Sequence, residues 1–216
     1  HGEGFFRYFF NVLKFLTSGN DMALERMFIT GVSPITLDDV TSGFNIGTNI
    51  PTSPLFNGLV GFTETELRTM LEYYRDRGAL TMDVEEMIAD MKPWYDNYHF
   101  SKECLNESMY NSDMTLYYMN SCLKQGRKPE EMVDTNIRTD YNKLRHLIRI
   151  DHELDANFSV IREIVENGRT SGTISSAFSV EKMVNENNFK SLLYYFGLLS
   201  IRGVEEGETV LAIPNN

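Results

Sequence analysis

The feature that most constrains the fold is a short apolar run that leads into a polar, glycine-containing turn. The segment 28–34 reads Phe-Ile-Thr-Gly-Val-Ser-Pro, and the segment 41–46 reads Thr-Ser-Gly-Phe-Asn-Ile. Buried strands of α/β proteins are short apolar runs, and ligands bind beyond their carboxyl ends. The pattern therefore predicts a strand over Met27–Val32, with Thr30 and Ser33 where a phosphate-sensing group would stand. The alternative is a capped strand-to-loop junction without a ligand, because Thr and Ser beside Gly and Pro satisfy turn geometry by themselves.

Length and composition indicate a globular chain that can bury a core. It has 216 residues, of which 42% are hydrophobic, and the length allows one large domain or two small ones. The formal net charge of -11 disfavours a broad phosphate-binding face. The two cysteines, Cys104 and Cys122, come without a secretory segment or a long apolar run, which predicts a reducing, cytoplasmic location and no membrane association. Because the chain opens at His1 and stops after a strand-like run, we expect a piece of a longer protein.

Periodicity predicts a mostly helical chain that ends in a β-hairpin. Thr63 and Glu66 form a capping box that begins a helix, and Phe62 is placed to pack against Leu67. A β-hairpin is expected over 198–213, and a short strand within 169–176. The predicted helices span residues 5–16, 63–77, 82–91, 114–123, 138–150, 160–166, 180–185 and 189–196.

Breaker residues divide this pattern. The Pro- and Gly-containing stretch 51–58 predicts a boundary near residue 60, beyond which the chain is mainly helical. A second strand is expected over 44–50. Ser112 or Asp113 is expected to cap the helix that follows, and Gly168 and Gly197 are expected to end helices. Helices followed by a terminal hairpin favour a winged-helix arrangement.

Motifs for common chemistries are missing or incomplete. His99 and Cys104 have no second ligand pair at zinc-like spacing, and the segment 151–153, Asp-His-Glu, is interpreted as a solvated patch. The serine-hydrolase pattern G-x-S-x-G fails at Pro34. The phosphate-binding pattern G-x-x-x-x-G-K-[ST] does not occur, and no apolar strand ends in an acidic pair for magnesium. The chain alone is therefore not expected to hydrolyse a nucleotide by that route.

Several motifs together, in this order and spacing, resemble the bacterial AAA-ATPase-like family. The resemblance covers almost the whole chain, but only the part of such proteins that follows the nucleotide-binding loop and the Walker B strand. It rests on the segments 26–34 (RMFITGVSP), 42–46 (SGFNI), 61–66 (GFTETE), 94–100 (WYDNYHF), 191–195 (SLLYY) and 213–215 (IPN).

The resemblance implies an α+β, mostly helical fold in three parts. Residues 1–60 would be the end of a P-loop α/β core that carries the sensor strand, 61–130 a helical lid, and 131–216 a winged-helix-like part. Thr30 and Ser33 would sense the terminal phosphate. The parent protein would use ATP and Mg²⁺ as a nucleotide-dependent switch, with the nucleotide bound through upstream residues and with a homo-oligomeric or other protein partner. Asp96 and His99 would contact the lid, or cap and pack around Trp94.

A binding module without nucleotide chemistry is the rival prediction. In that case the winged-helix part or the aromatic cluster 94–100 docks a protein or a nucleic acid. The net negative charge of the chain disfavours direct DNA binding, although the segment 138–149 carries Arg138, Lys143, Arg145 and Arg149. Such a basic cluster is usually a solvated face.

Overall fold

The computed structural model describes residues 2–18, 23–31, 48–134, 155–179, 182 and 184–215. Within these residues the chain is α+β. The helices are α1 (Gly2–Leu16), α2 (Glu64–Asp76), α3 (Val84–Tyr95), α4 (Ser112–Gln125), α5 (Asp155–Asn167) and α6 (Glu186–Tyr195), with a 3₁₀ turn at Pro54–Phe56. The strands are β1 (Arg169–Gly172), β2 (Ser200–Glu205) and β3 (Glu208–Ala212).

Helices α2, α3 and α4 form a helical unit with its own core. Its buried side chains include Leu67 and Leu71 of α2, Met87 and Met91 of α3, and Tyr118 of α4. The predicted capping box is confirmed: Thr63 Oγ1 accepts from the Glu66 N–H, and the Glu66 carboxylate accepts from the Thr63 N–H. Phe62 packs against the same core. These local signals fix where α2 begins and which face it buries.

The C-terminal unit packs α5 and α6 against a three-stranded antiparallel sheet in the order β1-β3-β2. The hairpin predicted over 198–213 is confirmed as β2 and β3. The short strand predicted within 169–176 is β1, which pairs with β3 rather than standing alone. Gly168 and Gly197 have φ of 71° each, a backbone conformation that favours glycine and ends α5 and α6 as expected.

Four local expectations are wrong. Of the strand predicted over Met27–Val32, the described residues 27–31 form no strand. Phe28 and Ile29 are 69% and 53% exposed, and a strand requires a partner for its backbone hydrogen bonds. The cap of α4 is Asn111, whose side chain accepts from the Met114 N–H, and not Ser112 or Asp113.

Helix α3 ends later in the chain than predicted. This helix continues through Pro93 to Tyr95, four residues beyond its predicted end at Met91. Of the predicted strand 44–50, residues 48–50 form no strand and the rest lies outside the described residues. The predicted helix 138–150, with its basic cluster, also lies outside them. Of the predicted helix 180–185, only 182, 184 and 185 are described.

Candidate functional site

A cleft lies between the N-terminal segment and the C-terminal unit, and it brings together two motifs far apart in sequence. Its volume is about 550 Å³, and its walls come from residues 28–31, 48–51, 56, 59–60, 100 and 194–195. Thr30 lines one side, and the Tyr194–Tyr195 pair at the end of α6 lines another. Ser33 lies outside the described residues. Thr30 and the SLLYY motif thus line the same cleft, which the sequence pattern alone did not predict.

The described walls of this cleft are aromatic, aliphatic and uncharged. Phe28, Phe56 and Phe100 contribute rings, while Thr30 and Asn49 contribute polar groups. No Lys, Arg, Asp or Glu is among the described lining residues. The described walls therefore fit a neutral or apolar group. They supply neither a cation for a triphosphate nor a carboxylate for Mg²⁺.

The two tyrosines are fixed by helix α6 and by a contact across the molecule. Asn185 caps α6 by accepting from the N–H groups of Asn187 and Asn188. The Tyr194 hydroxyl donates to the Phe100 carbonyl oxygen at 3.0 Å, and the Tyr194 and Tyr195 rings meet edge to face at 5.1 Å. Burial raises the pKa of both phenols. The pair is thus a wall of the cleft that stays neutral at physiological pH, and Tyr194 anchors it to Phe100.

A second constellation, which we call the joint, consists of residues 96–101 and the groups that bind them. The N–H and carbonyl of Tyr98 pair with Met109 of the helical unit at 3.1 and 2.8 Å. The N–H of His99 donates to Ser200 Oγ of β2 at 2.8 Å. Asn57 Oδ1 accepts from the N–H groups of Phe100 and Ser101 at 3.1 and 3.0 Å. Three parts of the chain therefore meet on one short segment.

Arg202 fixes the other side of the joint. The register of β2 against β3 shifts between Ile201 and Gly203, so that Arg202 is the extra residue of a β-bulge. Bulges redirect side chains, and the Arg202 guanidinium donates to the carbonyl oxygen of Pro214 at 2.9 Å and, more weakly, to that of Ile213 at 3.5 Å. Asn215 Nδ2 lies 3.5 Å from the Asp96 carbonyl oxygen and 3.4 Å from the Tyr98 hydroxyl. The IPN and WYDNYHF motifs are thereby held against each other.

His99 is buried inside the joint and is 7% exposed. Its Nδ1 makes no hydrogen bond among the described residues. Burial, reinforced by the positive charge of Arg202, lowers the pKa of His99, while Asp96 and the carbonyls of Asn97 and Leu105 oppose that shift. The ring is therefore held in its neutral form where a second positive charge would be costly.

The joint decides between the two roles expected for Asp96 and His99. Asp96 is 4% exposed, and its Oδ1 accepts from the Asn97 N–H at 2.6 Å. Both side chains are buried where the helical unit meets the C-terminal unit, which favours the packing role over the lid contact. Trp94 packs against the core of the helical unit. The roles of Asn57 and Arg202 were missed by sequence reasoning, because Asn57 looked like part of a turn and no pattern marked Arg202.

Metal ligands are not clustered in the part of the chain that the structure describes. No group of three or more His, Cys, Asp or Glu side chains is placed there to hold an ion. Cys104 and Cys122 are free thiols, and burial raises the pKa of Cys122 to about 11. That thiol is accordingly a poor nucleophile at neutral pH.

Comparison with protein-family models, with curated proteins and with solved structures finds no match. Among the described helices, none is both long and apolar enough to cross a membrane.

Proposed function

We propose that this chain is the sensor, lid and winged-helix portion of an AAA-like ATPase and acts as a nucleotide-dependent switch. The observation that carries the proposal is the shared cleft, in which Thr30 of the N-terminal segment faces the same space as Tyr194 and Tyr195 of α6. A group that binds differently in two nucleotide states at Thr30 would shift the packing of α6. Such differential affinity is what a ligand switch requires.

Connectivity of the C-terminal unit supports the winged-helix part of this proposal. Helix α5, β1, helix α6 and the hairpin β2–β3 follow one another, and the sheet order is β1-β3-β2. A hairpin after a helix that packs on the sheet is the arrangement expected for a wing. The joint supplies the coupling, because it attaches β2 and the segment 213–215 to the end of α3 through hydrogen bonds.

The chemistry of the cleft sets the role that Thr30 can have. Since the described walls are uncharged, the cations and the Mg²⁺ ligands for ATP would come from residues outside these walls. Thr30 would then contribute a hydroxyl hydrogen bond, and Ser33 would contribute another. Removing one such hydrogen bond to a charged group costs about 1.5–3 kcal/mol, or roughly tenfold to 150-fold in affinity.

Replacement of Thr30 by Val tests the switch. In the longest reading frame that contains this sequence, we expect Thr30→Val to reduce the ratio of ATP to ADP affinity by tenfold or more, measured by calorimetric titration. Thr69→Val is the matched control, because Thr69 is an exposed residue of α2 whose hydroxyl donates to the Thr65 carbonyl. Equal ATP and ADP affinities in the parent protein, or unchanged discrimination in Thr30→Val, would contradict the proposal.

A protein-binding module is the second candidate, and helix α1 favours it. Phe5, Tyr8, Phe9 and Phe15 of this helix are exposed, and contiguous exposed aromatic surface marks interaction sites. Pull-down and sedimentation of the chain with and without Tyr8→Ser and Phe15→Ser would test it. Loss of a stable complex in these variants, in the absence of any nucleotide effect, would favour this candidate over the switch.

Two observations disfavour nucleic acid as that partner. The residues of α6 from Phe189 to Tyr194 are buried within the chain, so most of this helix is not free to enter a groove. The β2–β3 turn carries Glu205, Glu206 and Glu208, whose charges repel phosphates. Reversal of Arg145 and Arg149 to Glu should leave DNA affinity unchanged, and a clear drop would instead point to a local DNA contact.

A further inference from the structure

The joint contains a buried ionisable side chain, that of His99, which takes no part in the hydrogen bonds that hold the joint together. The contacts that close the joint use the backbone N–H of His99, the Ser200 hydroxyl and the Arg202 guanidinium. The imidazole ring of His99 takes no part in these hydrogen bonds. Its Nδ1 has no hydrogen-bond partner among the described residues. A neutral ring places no charge in this space, whereas an imidazolium brings a charge and a second N–H into it, a cost that the carbonyls of Asn97 and Leu105 only partly offset.

The charges around the ring are nearly balanced before His99 takes up a proton. Among the residues that the structure describes, the charged groups that act on it are Arg202, from β2, and Asp96, from the end of α3. Asp96 acts on Arg202 as well, so one carboxylate already faces one guanidinium. A proton on His99 would leave two positive charges for one negative charge in a buried space, where electrostatic interactions are strong.

We propose that His99 makes the joint a pH-sensitive latch, closed while the imidazole is neutral and opened when it is protonated. Opening separates His99 from Ser200 of β2 and loosens the C-terminal unit from the helical unit, which the hydrogen bond from Tyr194 to the Phe100 carbonyl also joins. This inference does not depend on a nucleotide. It concerns the packing of two described units of the chain.

The direction and size of the effect follow from linkage. A histidine whose pKa is lowered in the closed state stabilises that state above its ordinary pKa of about 6.5, and the stabilisation is lost as pH falls below that value. Between pH 7.5 and pH 5.5 the open state gains about tenfold in population if the closed state stays unprotonated. Tenfold is the largest change that a histidine with an open-state pKa of about 6.5 can produce over this pH range.

Hydrogen exchange measures this opening directly. We expect the protection factor of the His99 amide, which donates to Ser200 across the joint, to fall by up to about tenfold from pH 7.5 to pH 5.5. Peptides of the helical core, such as those from α2, should keep theirs. In His99→Gln, which cannot take up the proton, the protection factors of the joint should be independent of pH over this range.

A second variant keeps the test decisive if His99→Gln does not fold. The chain has four histidines, and replacing His1, His146 and His152 by Gln leaves His99 alone. We expect this triple variant to retain the full pH dependence of the joint. Protection of the residue-99 amide that does not change with pH in the triple variant would overturn the latch, as would an unchanged pH dependence of that amide in a folded His99→Gln.

Discussion

Asn57 offers a direct test of how the joint is held together. Its side chain is 5% exposed, and one oxygen atom accepts from two successive backbone N–H groups, those of Phe100 and Ser101. In Asn57→Ala both donors lose their acceptor, and each buried donor without a partner costs about 1–3 kcal/mol. Two such donors would cost about 2–6 kcal/mol in the free energy of unfolding. Because Phe100 is only partly buried, we expect the lower part of that range, about 2–4 kcal/mol.

Two measurements check this value. Urea unfolding gives the loss in the free energy of unfolding, and hydrogen exchange should show the amides of Phe100 and Ser101 losing protection by roughly thirtyfold or more, the equivalent of about 2 kcal/mol. Asn120→Ala is the matched control, because Asn120 lies on an exposed face of α4 and surface substitutions stay within about 0.5 kcal/mol. A loss below about 1 kcal/mol with unchanged exchange at 100–101 would refute the claim that Asn57 holds the joint.

Two further predictions concern the start of the helical unit. Gly61 has φ of +91°, and an added Cβ would lie 2.9 Å from Met109 Cβ, so Gly61→Ala should destabilise the chain by at least about 1 kcal/mol more than Gly78→Ala. Gly78 has φ of +69° but open space around it, and equal urea midpoints would contradict this ranking. Thr63→Ala should cost about 0.5–2 kcal/mol in urea unfolding, and no measurable loss would contradict the cap. The backbone N–H of Thr63 and, next, its hydroxyl lower the pKa of Glu66 below its ordinary 4.5, so that carboxylate stabilises the fold above this value and ceases to as pH falls. Thr63→Ala removes the hydroxyl and keeps the N–H, so the variant should show a slightly smaller loss of stability on acidification.

Local sequence signals were sufficient wherever a few neighbouring residues determine the structure. The capping box at Thr63 and Glu66, the glycines that end α5 and α6, and the terminal hairpin all depend on contacts within a few positions. The same reasoning missed the cap of α4 by one residue. Asn111 lies three residues before Met114, so that its side chain reaches the Met114 N–H. Ser112 and Asp113 have suitable side chains but lie one and two residues too far along the chain.

Patterns that depend on distant partners misled the prediction. The segment 27–31 is apolar enough for a strand, but a strand exists only where another backbone pairs with it, and no pairing is present among the described residues. Thr30 was therefore placed at the end of a strand, whereas it lies on the wall of a cleft. Its neighbours there, Tyr194 and Tyr195, follow it by more than 160 positions. No local pattern could have joined these residues.

The joint explains why the WYDNYHF and IPN segments occur together in one chain. The first segment turns sharply at Asn97, whose φ is 75°, and this turn presents the Asp96 carbonyl and the Tyr98 hydroxyl to Asn215. The bulge at Arg202 holds the carbonyls of Ile213 and Pro214 from the other side. Neither segment satisfies its polar groups alone, since each uses groups of the other or of β2. The fold therefore requires the two segments to pack against each other. Their contact places the buried His99 at the interface between the helical unit and the C-terminal sheet.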